Sequence, residues 1–362
     1  MRFMKISSSA RYTLGIFAAI SMLAGCSSGG SQIAPTGSIR LNAGAFGVNA
    51  QSLREQNQLM SHLAIAHRAH GRSWMAPDAK KDNLVYISDG SGSSASNEVY
   101  VYSYPKGKLK GTLTDVDNPQ GMCVDKAGDV WVTDNSGTTG LTEFAHGGTA
   151  PIATLSDSGY FPDGCAIDPT TGNLAVTSLC TYPNCGQGGD LAIYKNASGT
   201  PTTYSDPAIR DYYFCGYDDN GNLFLDGATF HGTTQVDELP SDSGNLTEIS
   251  VKFITIAYPG GVQWDGKDLA IGDQAYEGSQ AGVIYRIKVK GSVGKPIGET
   301  ILNAETSQVN IGQFWIDGKN VVAANFASPA GIWKYPAGGN PTKLFTGEAP
   351  YGPIGAVVSP AK

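Results

Sequence analysis

From about residue 83 the chain alternates short apolar runs with turn residues, and the alternation repeats. GMCVD, GCAID, FCGYD, GVQWD and FWID each close an apolar run on an aspartate, at Asp125, Asp168, Asp218, Asp265 and Asp317. Each is followed by a turn (KAGD, PTTGN, DNGN, GK, GK) and a second run: VWVTD, LAVTS, LFLDG, LAIGD, VVAAN. A loop leads to a third run (LTEF, LAIY, QVDEL, VIYRI, GIWKY), and a Gly/Pro turn to a fourth (PIATL, PTTY, LTEIS, PIGETIL, PTKLF). Residues 83–116 show the same order of runs. The acids recur every 43 to 52 residues. Four short strands per repeat at this period predict an all-β fold, a six-bladed β-propeller of four-stranded blades. The chemistry of the runs agrees. Asp265-Gly266 and Asp317-Gly318 are hairpin dipeptides between apolar segments. The runs are rich in Val, Ile, Tyr, Phe and Trp, which suit a pleated, packed surface.

The last segment, YGPIGAVVSP (351–360), aligns with a first strand, and so does SWMAPD (73–78). The C-terminal segment is the expected partner for blade 1, because it ties the end of the chain to its start; the sequence leaves both candidates open. The propeller is assigned to residues 73–362.

Ahead of it, residues 1–25 read as an export signal. Arg2, Lys5 and Arg11 form a positive start, YTLGIFAAISMLAG is an apolar stretch too short to span a bilayer, and Leu23-Ala24-Gly25-Cys26 follows. This end resembles the bacterial lipobox. The resemblance implies cleavage before Cys26, lipidation (palmitate included) of that cysteine, and, with Ser27 next, an outer-membrane anchor facing the periplasm or the exterior. Residues 26–72 read as a flexible tether, with Leu53, Leu59, Met60 and Leu63 at roughly helical spacing near its end.

Composition narrows the partners. The 362 residues carry a net charge of −7 with no basic cluster, so nucleic acid is excluded as a partner. The acidic body also leaves membrane attachment to the lipid rather than to anionic headgroups.

The motif P-x-G-(apolar)-x-V-D-x-x-G-x-(apolar)-W-V-T-D, best at Asn118–Asp134 and next at Phe161–Ser178, resembles NHL-type repeats and the related gluconolactonase-like propellers over roughly residues 80–360. The resemblance implies the propeller fold and leaves function open among binding modules, hydrolases and lyases. The gluconolactonase-like enzymes place acids and an Asn on a channel metal, and Asp163 stands where that family often has the Asn. No matching Glu is found. The lyase type needs channel histidines; of His62, His67, His70, His146 and His231, only His231 aligns with the rim.

Alignment of the repeats places Asp89, Asp134, Ser178, Gly227, Asp273 and Asn325 at one rim position, with Asp226 one residue earlier. Such acids could ligate Ca²⁺ or cap their own turns. Aromatics gather in the same loops: Tyr160, Phe161, Tyr212, Tyr213, Tyr258 and Tyr351, with Phe230 and Tyr276. An aromatic, acidic rim can hold a carbohydrate, a peptide or an envelope protein. The ligand-binding candidates are therefore Asp89, Asp134, Asp163, Asp226, Asp273, Tyr212, Tyr213 and Tyr258. An exported chain forms disulfides. Cys180 and Cys185 flank a Pro-Asn turn and are expected to pair. Strand alternation turns Cys123 opposite to Cys165 and Cys215, so Cys123 and Cys165 can meet between stacked blades, leaving Cys215 spare. The expected function is binding or scaffolding through the rim loops, with no catalytic residue and no obligatory cofactor. The alternative is a metal-dependent lactone or ester hydrolase using a calcium-like ion.

Overall fold

A computed structural model describes residues 71–90, 97–137, 140–157, 159–274, 281–303, 309–326, 329–346, 350 and 352–362. The signal segment, Cys26, the 51–70 segment, Tyr276 and Tyr351 lie outside the described residues. Six antiparallel sheets form the blades of a β-propeller. From the axis outward, blade 2 is Pro119–Val124, Val130–Asp134, Gly140–Phe144 and Pro151–Leu155; blade 3 is Tyr160–Ile167, Leu174–Thr181, Leu191–Tyr194 and Thr202–Tyr204. Blade 4 is Ile209–Tyr217, Leu223–Thr229, Thr234–Leu239 and Thr247–Glu248; blade 5 is Pro259–Trp264, Leu269–Asp273, Gly282–Lys290 and Val293–Leu302; blade 6 is Ile311–Asp317, Asn320–Asn325, Gly331–Lys334 and Lys343–Leu344.

Blade 1 takes its inner strand from the C-terminus. Pro353–Ser359 pairs with Leu84–Asp89, followed by Glu98–Ser103 and Leu109–Leu113. The competing segment goes to the other edge. Trp74–Met75 pairs with Leu109–Leu113 as a fifth, outermost strand. Buried Lys110 fixes it there, its Nζ 2.8 Å from Asp78 and 2.7 Å from Asp82. A second short strand, Ser250–Val251, leaves blade 4 and runs parallel to the outer strand of blade 5.

Every inner strand carries a bulge at the same height. Two of its residues oppose one residue of the second strand: Ile354-Gly355 opposite Ser88, Gln120-Gly121 opposite Thr133, and Asp163-Gly164 opposite Thr177. In blades 4 to 6 the pairs are Tyr213-Phe214 opposite Asp226, Gly260-Gly261 opposite Gly272, and Gly312-Gln313 opposite Ala324. A bulge bends and twists its strand, and here it presses the inner strand against its neighbour. At each of the six interfaces one inner-strand glycine meets backbone of the next inner strand. A Cβ on Gly121 would lie 2.5 Å from Asp163 O, on Gly164 2.6 Å from Tyr213 O, and on Gly216 2.7 Å from Val262 O. One on Gly261 would lie 3.0 Å from Phe314 N and on Gly312 2.5 Å from Ile354 O, while Gly355 would strike Gln120 O.

Side chains opposite the bulges stitch the same seams. Thr133 Oγ1 lies 2.9 Å from both Gly121 O and Asp163 O, and Thr177 Oγ1 reaches Gly164 O and Tyr213 O. Ser88 donates to Gln120 O and accepts from Gly355 N. Asp226 accepts from Phe214 N and Gly260 N. Gln313 spans further: from blade 6 its amide bonds Met122 N and O in blade 2 and accepts from Ala356 N in blade 1. Apolar side chains fill the space between blades. The Cys123–Cys165 disulfide joins blades 2 and 3, beside Trp131, Leu174 and Val176.

Overpacking a tight site costs about 1–3 kcal/mol. Gly164→Ala is expected to lower unfolding free energy by about that amount in chemical denaturation, whereas Gly186→Ala, with open space around its Cα, changes it by less than about 0.5 kcal/mol. Cys123→Ser removes a cross-link closing 42 residues and is expected to cost about 4 kcal/mol in the same assay.

Candidate functional site

Inner strands start, and second strands end, on one face of the ring, so the loops between blades and between second and third strands form its rim. Of the aligned rim residues, Asp89, Asp134, Asp273 and Asn325 make one kind of contact, and Gly227 has no side chain to make it. Asp134 accepts from Asp117 N (3.2 Å) and Ser136 N (2.9 Å); Asp273 accepts from Ala257 N (2.8 Å) and Tyr258 N (3.1 Å). Asp89 accepts from Gly352 N and Asn325 from Asn310 N. Each fixes the loop entering its own inner strand. Blade 3 makes the contact in reverse: Ser178 Oγ donates to Asp157 at 2.9 Å, and Tyr194 OH donates to the other Asp157 oxygen at 3.3 Å. Burial raises the Asp157 carboxyl above its ordinary range.

Asp163 and Asp226 differ from these caps. Asp226 is fully buried in the seam between blades 4 and 5, and burial raises its carboxyl far above the usual range despite two backbone donors. Asp163 lies in the bulge of blade 3, is 3% exposed, and is raised by burial alone. Asn135 beside it donates to Pro162 O.

The structure brings two of the three candidate tyrosines together. Tyr213 and Tyr258 share a hydrogen bond between hydroxyls and meet edge to face, ring centroids 5.3 Å apart. Both are buried between blades 4 and 5. Tyr212 turns toward blade 3, its hydroxyl donating to Asp206 O and accepting from Asp206 N. On the described loops of blades 3 and 4 the exposed aromatics are Tyr182 (45%) and Phe230 (58%). Tyr182 packs edge to face with Phe161. The Cys180–Cys185 disulfide closes the loop that carries it. Cys215 is a buried free thiol, pushed up by burial.

Three acids that repeat alignment did not single out lie at the rim or, for Asp237, two positions below it on its strand. Asp190 ends the loop after the second strand of blade 3, and burial, then Asp157, push it up to about 7. Asp237, on the third strand of blade 4, is pushed up to about 6 by burial. Asp211, beside Arg210 at 3.6 Å, is almost fully buried. They vary from blade to blade, so the repeat carries no signal for them.

The carboxylates named at the rim are engaged with backbone N–H groups or separated along the seams. The described carboxylates whose oxygens converge, Asp125, Asp129 and Glu143, sit at the opposite end of blade 2, within 4.8 Å of one another. Among the described residues no such convergence is found at the rim. A serine–histidine contact exists between Ser359 Oγ and His146 Nδ1 at 2.6 Å, also at that opposite end. Ser359 is fully buried and also donates to Gly128 O, so it serves the ring closure.

Neither a family model nor a curated protein sequence matches the chain. A chain in the crystal structure of a nidogen/laminin complex is similar to it with a TM-score of 0.60 and 13% identity, over 77% of this chain and 99% of that one. The likeness is one of fold. The two disulfides fit a compartment outside the reducing cytoplasm. No helix among the described residues is long and apolar enough to cross a membrane.

Raised carboxyl pKa values link stability to pH. The folded state holds protons on Asp190, Asp237 and Glu143 (about 7, 6 and 7) that the unfolded chain releases near 4. Their neutral forms favour folding at low pH, and that contribution is lost as pH rises through 6 to 7. The melting temperature is expected to fall between pH 5 and pH 8 in differential scanning calorimetry, with a shallower fall in Asp190→Asn.

Proposed function

We propose that the chain is a lipid-anchored binding module of the bacterial cell envelope that holds a peptide or protein partner on its rim loops. The observation that carries this reading is the pair of exposed aromatics, Tyr182 and Phe230, on the rim loops of blades 3 and 4, one of them closed by a disulfide. Exposed aromatics on ordered loops lose little entropy on binding and supply large contact area. Among the described residues, by contrast, the thiol of Cys215 is buried and the caps Asp134 and Asp273 are bonded to backbone. The lipobox-like end at Cys26 and the NHL-like repeats support an anchored module, and the disulfides suit an exported one. Propellers host many activities, so the reading rests on the rim and not on the fold.

Two measurements test it. Cys26→Ser is expected to move the protein from the membrane fraction to the soluble periplasm; retention in the membrane would reject the lipid anchor. A photo-crosslinking residue at position 182 or 230 is expected to give one discrete adduct in cells, and the same residue at Lys267, on the opposite face, none. Equal labelling at all three positions would reject the rim, and calcium-dependent lactone turnover abolished by Asp163→Asn would replace binding with hydrolysis.

A further inference from the structure

The rim loops of blades 3 and 4 are one-sided in charge. Residues 156–163, 178–190, 205–213 and 226–237 contain seven aspartates, a single arginine and no lysine. The arginine, Arg210, lies against Asp211. Elsewhere an acid at the rim has a donor: Asp134 and Asp273 each accept two backbone N–H groups. Between blades 3 and 4 the donors satisfy one oxygen of each acid and leave the other: Gln235 Nε2 donates to Asp237 Oδ1 at 2.8 Å, and Tyr160 bonds Asp190. Asp190 Oδ1 and Asp237 Oδ2 are buried with no hydrogen-bond partner, and the two residues are 6% and 0% exposed. Leaving a buried acceptor unmade costs about 1–3 kcal/mol, more for a charged group.

The two carboxyls belong to one locality. Gly189, next to Asp190, donates its N–H to Arg210 O at 2.8 Å, which sets that loop against the start of blade 4's inner strand. Tyr212, two residues on, packs with Leu191 of blade 3 and Leu239 of blade 4, the neighbours in sequence or face of Asp190 and Asp237. Asp190, Asp206 and Asp237 all act on the Tyr212 hydroxyl, which burial and these carboxylates together raise. Asp206 is half-exposed and bonded through its backbone to that hydroxyl, so it marks where the acidic locality meets solvent. Phe230 stands exposed on the adjoining loop of blade 4, its N–H donating to Ala208 O, whereas Tyr182 lies on the far side of blade 3 with its ring against Gly137 of blade 2.

Resting on the reading of the rim as a docking face, we propose that the seam between blades 3 and 4 receives a basic segment of a partner protein, with a Lys or Arg side chain entering beside Asp206 toward Asp190 and Asp237. The chemistry is complementary at each part. A guanidinium or ammonium supplies the donors that the free carboxylate oxygens lack, in charge-assisted hydrogen bonds. The exposed aromatic face of Phe230 attracts the same cations. A long, flexible side chain delivers its charge into a buried site while its stem stays in the seam. The surrounding charges are Asp157, with Tyr160, from blade 3 and Asp206, Asp211, Arg210, Asp237 and Glu248 from blade 4. Their balance is negative, which also speeds the approach of a basic partner at low salt.

The test uses the full-length protein and a fluorescein-labelled twelve-residue peptide alternating Arg and Gly, read by fluorescence polarisation, with the citrulline-Gly peptide as neutral twin. The Arg peptide is expected to bind and the citrulline peptide not to. Asp190→Asn and Asp237→Asn are each expected to weaken binding about tenfold, while Asp242→Asn, an exposed acid on the opposite face, leaves it unchanged. Affinity of the wild type is expected to fall between pH 7.5 and pH 5.5 as these carboxyls take up protons. Equal binding of the two peptides, an affinity independent of pH, or equal effects of Asp190→Asn and Asp242→Asn would each overturn the proposal. Should a variant fail to fold, the citrulline comparison and the pH profile on the wild type decide alone. Adducts at positions 182 and 230 together with no Arg-peptide binding would leave the docking face standing and remove its cationic specificity.

Discussion

Everything in this molecule depends on how closely six inner strands approach one another. Each is bulged at the same height, and each interface has a glycine where any Cβ would collide with neighbouring backbone. The approach gives the ring a neck of packed main chain, whose polar groups then need partners. Hydroxyls opposite the bulges provide them, in Ser88, Thr133 and Thr177, each bridging its own inner strand to the next. Where blade 4 lacks a glycine in its bulge, Phe214 stands there instead. The stitching residue is then a carboxyl, Asp226, that accepts two N–H groups in place of donating. The seam and the bulge are one device, and a change in either is felt by the other.

Much of this was legible in the chain. The recurrence of four apolar runs predicts six blades, and the structure has six. Alternation in the strands predicts that Cys123 opposes Cys165, which follows because one residue of offset reverses a side chain's face. The P-x-G opening of the repeat was visible as a motif, and its physical content is the bulge: Gln120-Gly121 and Asp163-Gly164 are its doublets. Register between strands is needed to see that, and a single strand's sequence does not contain it. For the same reason the span of Gln313 across to Met122, 191 residues away, has no local signal. The two-residue strands Trp74–Met75 and Ser250–Val251 are too short for any periodicity.

The rim divides along the same line. Asp89, Asp134 and Asp273 were found because they repeat, and repetition is what a structural role produces: they hold the loops that begin each blade. Asp190 and Asp237 were missed because they occur once each. Residues that depart from a repeat are free of its architectural duty, so departures are the better guide to a specific ligand. The sequence pattern alone ranks the two groups in the opposite order.

That distinction bears on why buried carboxyls with one unpartnered oxygen each persist between blades 3 and 4. The ring does not need them. Its seams are closed by hydroxyls, the Gln313 amide and the Asp226 carboxyl with its two backbone donors, its loops by acids with backbone donors, and a pair of apolar or amide side chains at 190 and 237 would fill the same space without the desolvation of charge. Their environment instead raises both carboxyls toward neutral pH, near the point where a small change in surroundings decides their charge. A cation arriving beside Asp206 is such a change. Under the proposed docking it would favour the ionised forms and bond the two remaining oxygens, so that these carboxyls would contribute less pH dependence to stability. On that proposal, the same two side chains that weaken the free protein above neutrality would also make its rim selective for positive charge.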